Sequence, residues 1–474
     1  MQEMRETLER EIKLAPGEGF VLPELGGEQL PTRVFISTYH DTPDLRLARH
    51  GVTFRHRVAD GAGLWQLKLP RGAARLELEL PGPPARPPAE LVGLLPAYLR
   101  GRDLVPVARL RTRREGVRAR GAEIVDDSVA VLQGQRVTQR FREIEVELLE
   151  GDERTLRQLE KELRSAGATS PGPLQPKLHR ALGLAGVVAP RIEKGTASGT
   201  ALGIALDGEY RALLAHDPGT RRGDDPEDLH QLRVATRRLR AFLRAARPLV
   251  ESDWATSLRA ELGWLGAHLG PARDLDVMLG RLRAEVEALE GDAGAASGLL
   301  EALDEERAAA YVDVGEVLGG DRYFALLDRL EAAATPPLTG DETTLAAIFH
   351  REAKRMRRTF AALGEDPEDD ALHASRIAVK RARYAADLAA HELGRPGERF
   401  VTVAKQLQDI LGDHQDAVVA EGRIREWASS SSVPESGFAA GRLVQLERDR
   451  MAAARAAWPE AWQLLDQAAR RAVR

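Results

Sequence analysis

Two hydropathy periods divide the chain. Up to residue 150, apolar and polar residues alternate in short segments broken by Gly and Pro. These are LEREIKL (8–14), VTFRHRV (52–58), LWQLKLP (64–70), ARLELEL (74–80), RLRTRRE (109–115) and REIEVELLE (142–150). A period of two sends successive side chains to opposite faces, so each segment predicts a strand with one wet face. PGPPARPP (81–88) suits neither helix nor central strand and predicts a loop. ERTLRQLEKELRSA (153–166) has helical spacing and stops at Gly167.

Past residue 200 the apolar spacing turns helical and stays so to residue 474, with a break near ATPPLTGDE (334–342). APRIEKGTASGT (189–200) predicts a linker. LHQLRVATRRLR (229–240) recurs as LHASRIAVKRAR (372–383), and LGPARDLDV (269–277) as LGDHQDAVV (411–419), at offsets of 143 and 142. Two matches in one order at nearly one offset predict duplicated helical halves, each a small bundle. The expected fold class is α+β. An antiparallel β tunnel spans 1–188, a linker 189–200 and an all-α domain 201–474, with repeats at about 201–335 and 342–474.

Composition narrows the chemistry. With 474 residues, 43% hydrophobic and 30% charged, the chain can bury ample core, which excludes disorder throughout. The absence of Cys excludes disulfides, thiolate metal sites, Fe–S clusters and Cys nucleophiles. Lys+Arg is 68 and Asp+Glu 73, so any polyanion site must come from local clustering rather than global charge. MQEMRETLEREIKL shows no apolar secretory segment, and no apolar run is long enough to span a membrane. The expectation is a cytoplasmic protein with no membrane partner.

The strand faces carry paired charges. Glu9, Glu11 and Lys13 share a face opposite Ile12 and Leu14, and Glu143, Glu145 and Glu147 one opposite Ile144, Val146 and Leu148. Arg55 with Arg57, Lys68 with Gln66, Arg75 with Glu77 and Glu79, and Arg111 with Arg113 make similar faces. A single such strand is an ordinary wet face. If several turned these faces inward in a closed barrel, carboxylates and cations would share one cavity, which suits a polyanion held with divalent cations.

Glu9-Arg10-Glu11-Ile12-Lys13 resembles the ExExK signature of the CYTH superfamily, the triphosphate tunnel metalloenzymes. The ordered set that follows is also similar: Tyr39-His40-Asp41-Thr42-Pro43, Arg55 and Arg57, Lys68, Arg75 with Glu77 and Glu79, Arg111 and Arg113, Asp126, and Glu143-Ile144-Glu145. Pro176-Lys177-Leu178 resembles the closing Ser-Lys-Tyr motif with Ser and Tyr replaced. The resemblance covers about 180 residues. It implies an eight-stranded antiparallel tunnel that hydrolyses a triphosphate by metal-assisted attack of water. It implies Glu9, Glu11, Asp126, Glu143 and Glu145 as ligands of Mg²⁺ or Mn²⁺, with the register between Asp126 and Asp127 open. It implies Glu9, Glu11, Lys13 and Lys68 as catalytic, and Arg55, Arg57, Arg75, Arg111, Arg113 and Lys177 as triphosphate-binding. His56, between Arg55 and Arg57, should point outward and be structural.

In the helical half, His230, Arg233, Arg237, Arg240 and Arg244 return to one helix face, flanked by Arg238. His373, Arg376, Lys380 and Arg383 repeat the series, flanked by Arg381, and Lys354 and Arg358 lie on the preceding helix. Solvated faces normally mix signs for i,i+4 support, and these segments do not. A polyanion-binding face follows, although Asp274, Asp276 and Asp416 could pair with some of the cations. Both His–Arg helices and the LGxxxD segments resemble the CHAD domain over about residues 200–470. The resemblance implies binding of inorganic polyphosphate and association with polyphosphate granules. The lack of regular Arg–aromatic interleaving argues against single-stranded nucleic acid. No protein partner is implied.

Together these expectations describe an inorganic triphosphatase beside a polyphosphate-binding module. The alternatives are a tunnel enzyme acting on thiamine triphosphate or a nucleotide, including an adenylate cyclase, and a granule-targeting protein with a silent tunnel.

Overall fold

The computed structural model describes residues 4–72, 74–169, 176–186, 190–431 and 433–473. The chain divides into two compact units, Met1–Ala189 and Pro190–Arg474. No helix among the described residues is long and apolar enough to cross a membrane.

The first unit is one antiparallel sheet. Its strands are β1 (Arg5–Glu9), β2 (Glu11–Pro16), β3 (Glu28–Asp41), β4 (Thr53–Ala59), β5 (Ala62–Arg71), β6 (Ala74–Pro81), β7 (Val105–Ala119), β8 (Ala122–Gln133), β9 (Arg136–Leu148) and β10 (Ala168–Thr169). Their order is β1-β6-β5-β4-β3-β7-β8-β9-β2-β10. β1 and β2 are halves of one N-terminal strand interrupted at Arg10, and they pair with β6 and β9 on opposite sides of the sheet. That strand closes the sheet into a barrel and removes its edges. Counting the two halves once and leaving aside the two-residue β10 gives the eight-stranded tunnel expected from the motifs.

Two hairpins use the residues that left-handed turns need. Asp60-Gly61 joins β4 to β5 and Arg120-Gly121 joins β7 to β8, with positive φ at all four positions. Alternation did not single out β3 or β8. β3 carries Pro31 at a register shift between Leu30 and Arg33, and β8 buries residues on both faces, which hides the period.

The barrel is charged inside, and much of its outer face is apolar. Helix α4 (Glu153–Ser165), capped by Asp152, lays Leu156, Leu159 and Leu163 on the outer face against Leu14, Ile124, Ile144 and Val146. Elsewhere the outer wall buries Phe54 and Trp65. His56 faces this outer layer and reaches the Gly82 carbonyl at 2.9 Å, a structural role. Three one-turn helices, α1 (Arg46–Arg49), α2 (Ala89–Val92) and α3 (Pro96–Leu99), fill the connections. Buried Asp41 accepts from the backbone N–H groups of Thr42, Leu47 and Ala48 and so anchors α1. Helix α5 (Lys177–Leu182) brings Lys177 to the barrel interior.

The second unit is all-α: α6 (Ser198–Arg222), α7 (Pro226–Ala245), α8 (Ser252–Glu287), α9 (Ser297–Gly319), α10 (Asp321–Ala332), α11 (Leu345–Ala361), α12 (Asp369–Leu388), α13 (Ala390–Ser430) and α14 (Pro434–Ala472). α6 begins inside the stretch read as linker, whose first residue, Ala189, lies outside the described residues. The repeated motifs fall on α7 and α12, and on α8 and α13. α13 is bent at Gly394, whose φ of 57° is left-handed. α7 and α12 pack on each other, so the two cationic helices meet.

The repeat extends to side-chain detail. Arg233 donates to the Gly270 carbonyl at 2.9 Å and pairs with Asp274 at 2.6 Å. At the matching positions Arg376 lies against Gly412, where an added Cβ would sit 3.2 Å from its guanidinium, and interacts with Asp416. Gly412 therefore makes room for Arg376 of the neighbouring helix, while a Cβ at Gly270 would stand 3.9 Å from Arg233, in ordinary contact.

Candidate functional site

A cavity of about 230 Å³ runs through the barrel. Because the strands alternate, their charged faces line it while their apolar faces pack outside. Glu9, Glu11, Lys13, Arg55, Arg57, Lys68, Arg75, Glu145 and Lys177 all reach it, as the sequence predicted.

Inside, opposite charges are paired. Lys68 Nζ contacts Glu9 at 2.6 Å and Glu77 at 3.5 Å. Lys13 Nζ contacts Glu145 at 2.5 Å, Glu11 at 3.2 Å and Glu143 at 3.6 Å. Lys177 Nζ contacts Glu145 at 2.6 Å, Asp127 at 2.9 Å and Glu143 at 3.1 Å. At Lys13, Glu145 and Lys177 burial opposes charge, and the partners override it. Lys13 is held well above its ordinary range by Glu11, Glu145 and Glu143, and Glu145 well below its own by Lys13, Lys177 and Arg114. Burial and Arg55 hold Arg57 down at about 10, still protonated at neutral pH. Arg55 donates to Gln66 at 2.8 Å and to the Tyr39 hydroxyl at 3.0 Å.

Three predicted tunnel residues lie elsewhere. Arg111 and Arg113 are exposed on the outer wall, where Arg113 pairs with Glu115 at 2.6 Å. The inward residue of that strand is Arg114, which donates to Asp127 at 2.8 and 2.6 Å and to Glu145 at 2.7 Å. Asp126 also faces outward and pairs with Arg142, while its neighbour Asp127 is fully buried. The register explains both corrections: Arg114 stands opposite Asp127, and Glu115 opposite Asp126. RLRTRRE holds several Arg residues of both parities, so alternation alone left the inward one ambiguous. Sequence reasoning also passed over Glu147 and Glu77 as site residues, although both sat on faces already read as charged.

The carboxylates suit a divalent cation in kind. Burial and then Glu9 push Glu147 up to about 7, with Glu77 and Glu11 adding and Lys68 opposing. This wall holds more negative charge than its cations offset, and a hard dication would relieve it. Among the described residues no three carboxylates or histidines converge closely enough to hold an ion as they stand. The carboxylates here are turned to lysines, so an ion would take the place of ammonium groups. Of the predicted ligands, Glu9 is engaged by Lys68 and Glu11 by Lys13, and Glu147 lines the same wall. Glu143 and Glu145, predicted as ligands, are engaged by Lys13 and Lys177, and Glu145 also by Arg114.

In the helical unit a separate cavity of about 420 Å³ lies between α7, α8, α12 and α13. His230, Arg233, Arg237, Arg376 and Lys380 line it, joined by Arg273 and Arg281, which the motif reading missed. Arg237 is held by the Tyr384 hydroxyl at 2.8 Å. Burial, then Arg376 and Arg237, bring Lys380 down to about 8. Such crowding of cations marks a site that an anion would stabilise.

The other predicted cations do not line this cavity. Arg238 pairs with Glu209 at 2.9 Å. Arg383 reaches Gln408 at 3.1 Å and stacks over Tyr384, and His373 bonds Gln415 at 2.8 Å. Arg240 and Arg244 continue along α7 beyond the cavity to Arg259, and Arg244 also faces Arg381. Lys354 and Arg358 are exposed on α11. Of the three acids, Asp274 and Asp416 line the cavity, and Asp276 instead holds Arg307 at 2.6 Å.

Comparison with known proteins gives two domain matches: a CYTH domain over residues 7–171 and a CHAD domain over residues 204–425. An uncharacterized protein of Mycobacterium tuberculosis is 30% identical over 514 residues, covering 98% of each chain. Among solved structures, PptA from Streptomyces chartreusis is 24% identical, covers 56% of this chain and all 100% of that one, and has a TM-score of 0.49. The CHAD domain from the plant Ricinus communis is 24% identical, covers 57% of this chain and 95% of that one, and has a TM-score of 0.46.

Proposed function

The chain belongs to the family of proteins that carry a CYTH domain followed by a CHAD domain, and from that premise we propose that it is a metal-dependent inorganic triphosphatase with a polyphosphate-binding helical domain. The observation that carries the reading is the tunnel lining, where Arg55, Arg57, Arg75, Arg114 and three lysines face Glu9, Glu11 and Glu147 in one 230 Å³ cavity.

Phosphate oxygens would take over the cations that now hold carboxylates. Arg55 and Arg57 lie side by side for bidentate contact, and Lys13, Lys68 and Lys177 supply point charges. The freed acids, Glu9, Glu11 and Glu147, would hold Mg²⁺ or Mn²⁺. That ion would polarise phosphoryl oxygens and lower the pKa of water. The chain's own cations, fixed before substrate arrives, offset charge that grows as the phosphoanhydride bond breaks. Enclosure by the barrel keeps bulk water from screening them.

The lining favours an inorganic substrate over a nucleotide. Its aromatic rings, Phe35 and Tyr39, are covered by guanidiniums: Arg57 and Arg114 lie 5.4 and 5.6 Å from the Phe35 centroid, and Arg55 lies 5.8 Å from that of Tyr39. Neither offers a free face to a base. The helical cavity, with its crowded Arg and Lys, is read as the holder of longer polyphosphate. On this reading the protein works in the cytoplasm, beside polyphosphate granules. The Lys68–Glu9 and Lys13–Glu145 pairs favour a second reading, a tunnel that retains polyphosphate without turning it over.

Phosphate release from inorganic triphosphate, ATP, thiamine triphosphate and long-chain polyphosphate, with Mg²⁺ or Mn²⁺ and with EDTA, separates these readings. Metal-dependent release from inorganic triphosphate is expected. No release from any of the four, with polyphosphate still bound, selects the second reading.

A further inference from the structure

The arginines displaced from the tunnel form a site of their own. On the outer wall Arg111, Ala130 and Arg140 occupy one row across β7, β8 and β9, and Arg113, Ser128 and Arg142 occupy another row on the same face. Each row is Arg, small residue, Arg. With strands about 4.8 Å apart and about 6.7 Å between alternate residues, four guanidinium stems frame a trough floored by Ala130 and Ser128. The trough opens into a cavity of about 900 Å³, separate from the tunnel lumen.

Three of its four cations are available. Among the described residues no carboxylate pairs with Arg111 or Arg140, both exposed. Arg113 pairs with Glu115 at the surface, a contact that exchanges at little cost, whereas Arg142 is held by two hydrogen bonds to part-buried Asp126 and reaches the Phe20 carbonyl. Arg180 also lines the cavity, donating to the Arg142 carbonyl at 3.0 Å, covering the Phe141 ring at 4.2 Å and pairing with Glu143 at 3.3 Å. That ring therefore gives no free platform for a nucleobase, whereas stacking platforms mark single-strand nucleic-acid sites.

We propose that this trough is a second anion site, on the outside of the barrel, that takes a linear, base-free phosphate chain between the Arg111–Arg140 and Arg113–Arg142 pairs. Bidentate guanidiniums from both sides suit tetrahedral phosphoryl groups, and the small floor lets the chain lie between them. The site does not depend on what the tunnel does, because its side chains leave the wall on the opposite face.

The test uses the full-length protein and long-chain inorganic polyphosphate. Phenylglyoxal labelling, read by peptide mass spectrometry, should show Arg111 and Arg140 protected by polyphosphate, with exposed Arg154 on α4 unprotected. Equal labelling with and without polyphosphate would overturn the proposal. Polyphosphate affinity is then measured in a background of Arg237→Ala with Lys380→Ala. Adding Arg111→Ser with Arg140→Ser should weaken it about tenfold or more and leave triphosphate hydrolysis unchanged. The same charge removed as Arg154→Ser with Arg157→Ser should leave it unaltered. Equal loss from both pairs would reduce the effect to net charge and overturn the site. A single-stranded DNA oligonucleotide that protects Arg111 and Arg140 better than polyphosphate at matched ionic strength would overturn the assignment to a base-free chain.

Discussion

Arg114 grips Asp127 with two hydrogen bonds, 2.8 and 2.6 Å long, across adjacent strands inside the barrel. Asp127 has no exposed surface, and its carboxyl is held below its ordinary range: burial opposes ionisation, and Lys177 and Arg114 overcome it. Removing Arg114 leaves Asp127 to Lys177 at 2.9 Å, and removing Asp127 leaves Arg114 to Glu145 at 2.7 Å, so each loss should cost roughly 1–3 kcal/mol. Arg114→Ala and Asp127→Asn should therefore each lower the melting temperature of the barrel and abolish turnover of triphosphate. Arg113→Ala and Asp126→Asn, one residue away and facing water, should do neither. Calorimetry and a phosphate-release assay on the four variants check this contrast.

Glu11 and Glu147 are cross-strand partners on β2 and β9. Replacing either with Gln keeps shape and removes charge. If they hold the ion, Glu11→Gln and Glu147→Gln should raise the Mg²⁺ concentration needed for half-maximal rate and cut kcat roughly 10²–10³-fold, the range for losing one preorganised electrostatic group. Triphosphate binding, carried by the Arg and Lys groups, should persist. A rate unchanged in both variants across a Mg²⁺ titration would remove these acids from the metal site.

Gly116 sits where β7 meets β8 without room for a side chain. A Cβ there would lie 2.2 Å from the Ile124 carbonyl oxygen and 2.8 Å from Val125. Backbone cannot yield as a flexible side chain does, so Gly116→Ala should destabilise the first unit by about 1–3 kcal/mol or more. The transition of the helical unit should stay in place, which differential scanning calorimetry resolves if the two units melt separately.

Much of the tunnel's charged lining was legible in sequence because strand alternation and an ordered set of charges point the same way. Parity put Glu9, Glu11 and Lys13 on one face and Lys68 beside Gln66, and the resemblance turned those faces inward. Arg111, Arg113 and Asp126 could not be placed in this way, since Arg-rich and Asp-Asp stretches present the same residue type to both faces. Only cross-strand register, a property of distant pairing, shows which member turns inward. In the helical half, the repeat identified α7 and α12 as counterparts in two duplicated halves. His373, Arg238 and Arg383 lie outside the helical cavity and find local partners that helical spacing does not reveal. Arg273 and Arg281 come from α8, a neighbouring helix, and so fell outside a pattern read along single helices.

The helical cavity makes the clearest pH prediction. Lys380 is brought to about 8, first by burial and then by Arg376 and Arg237, with Arg383 adding and Asp416 opposing. Its ammonium is therefore charged below pH 8 and lost above it. A phosphate chain favours the charged form, so binding should take up a proton near pH 8 and affinity should fall as pH rises through that value. The Arg groups around it stay protonated throughout, so the fall is partial. Lys380→Arg should flatten the profile between pH 7 and 9, because a guanidinium does not titrate there. Lys380→Ala with Arg237→Ala should weaken retention on the order of a hundredfold, with a reduced salt dependence, and leave triphosphate hydrolysis intact. Polyphosphate binding measured across that pH range in wild type and Lys380→Arg decides the matter. A flat wild-type profile would mean that Lys380 does not contact the chain.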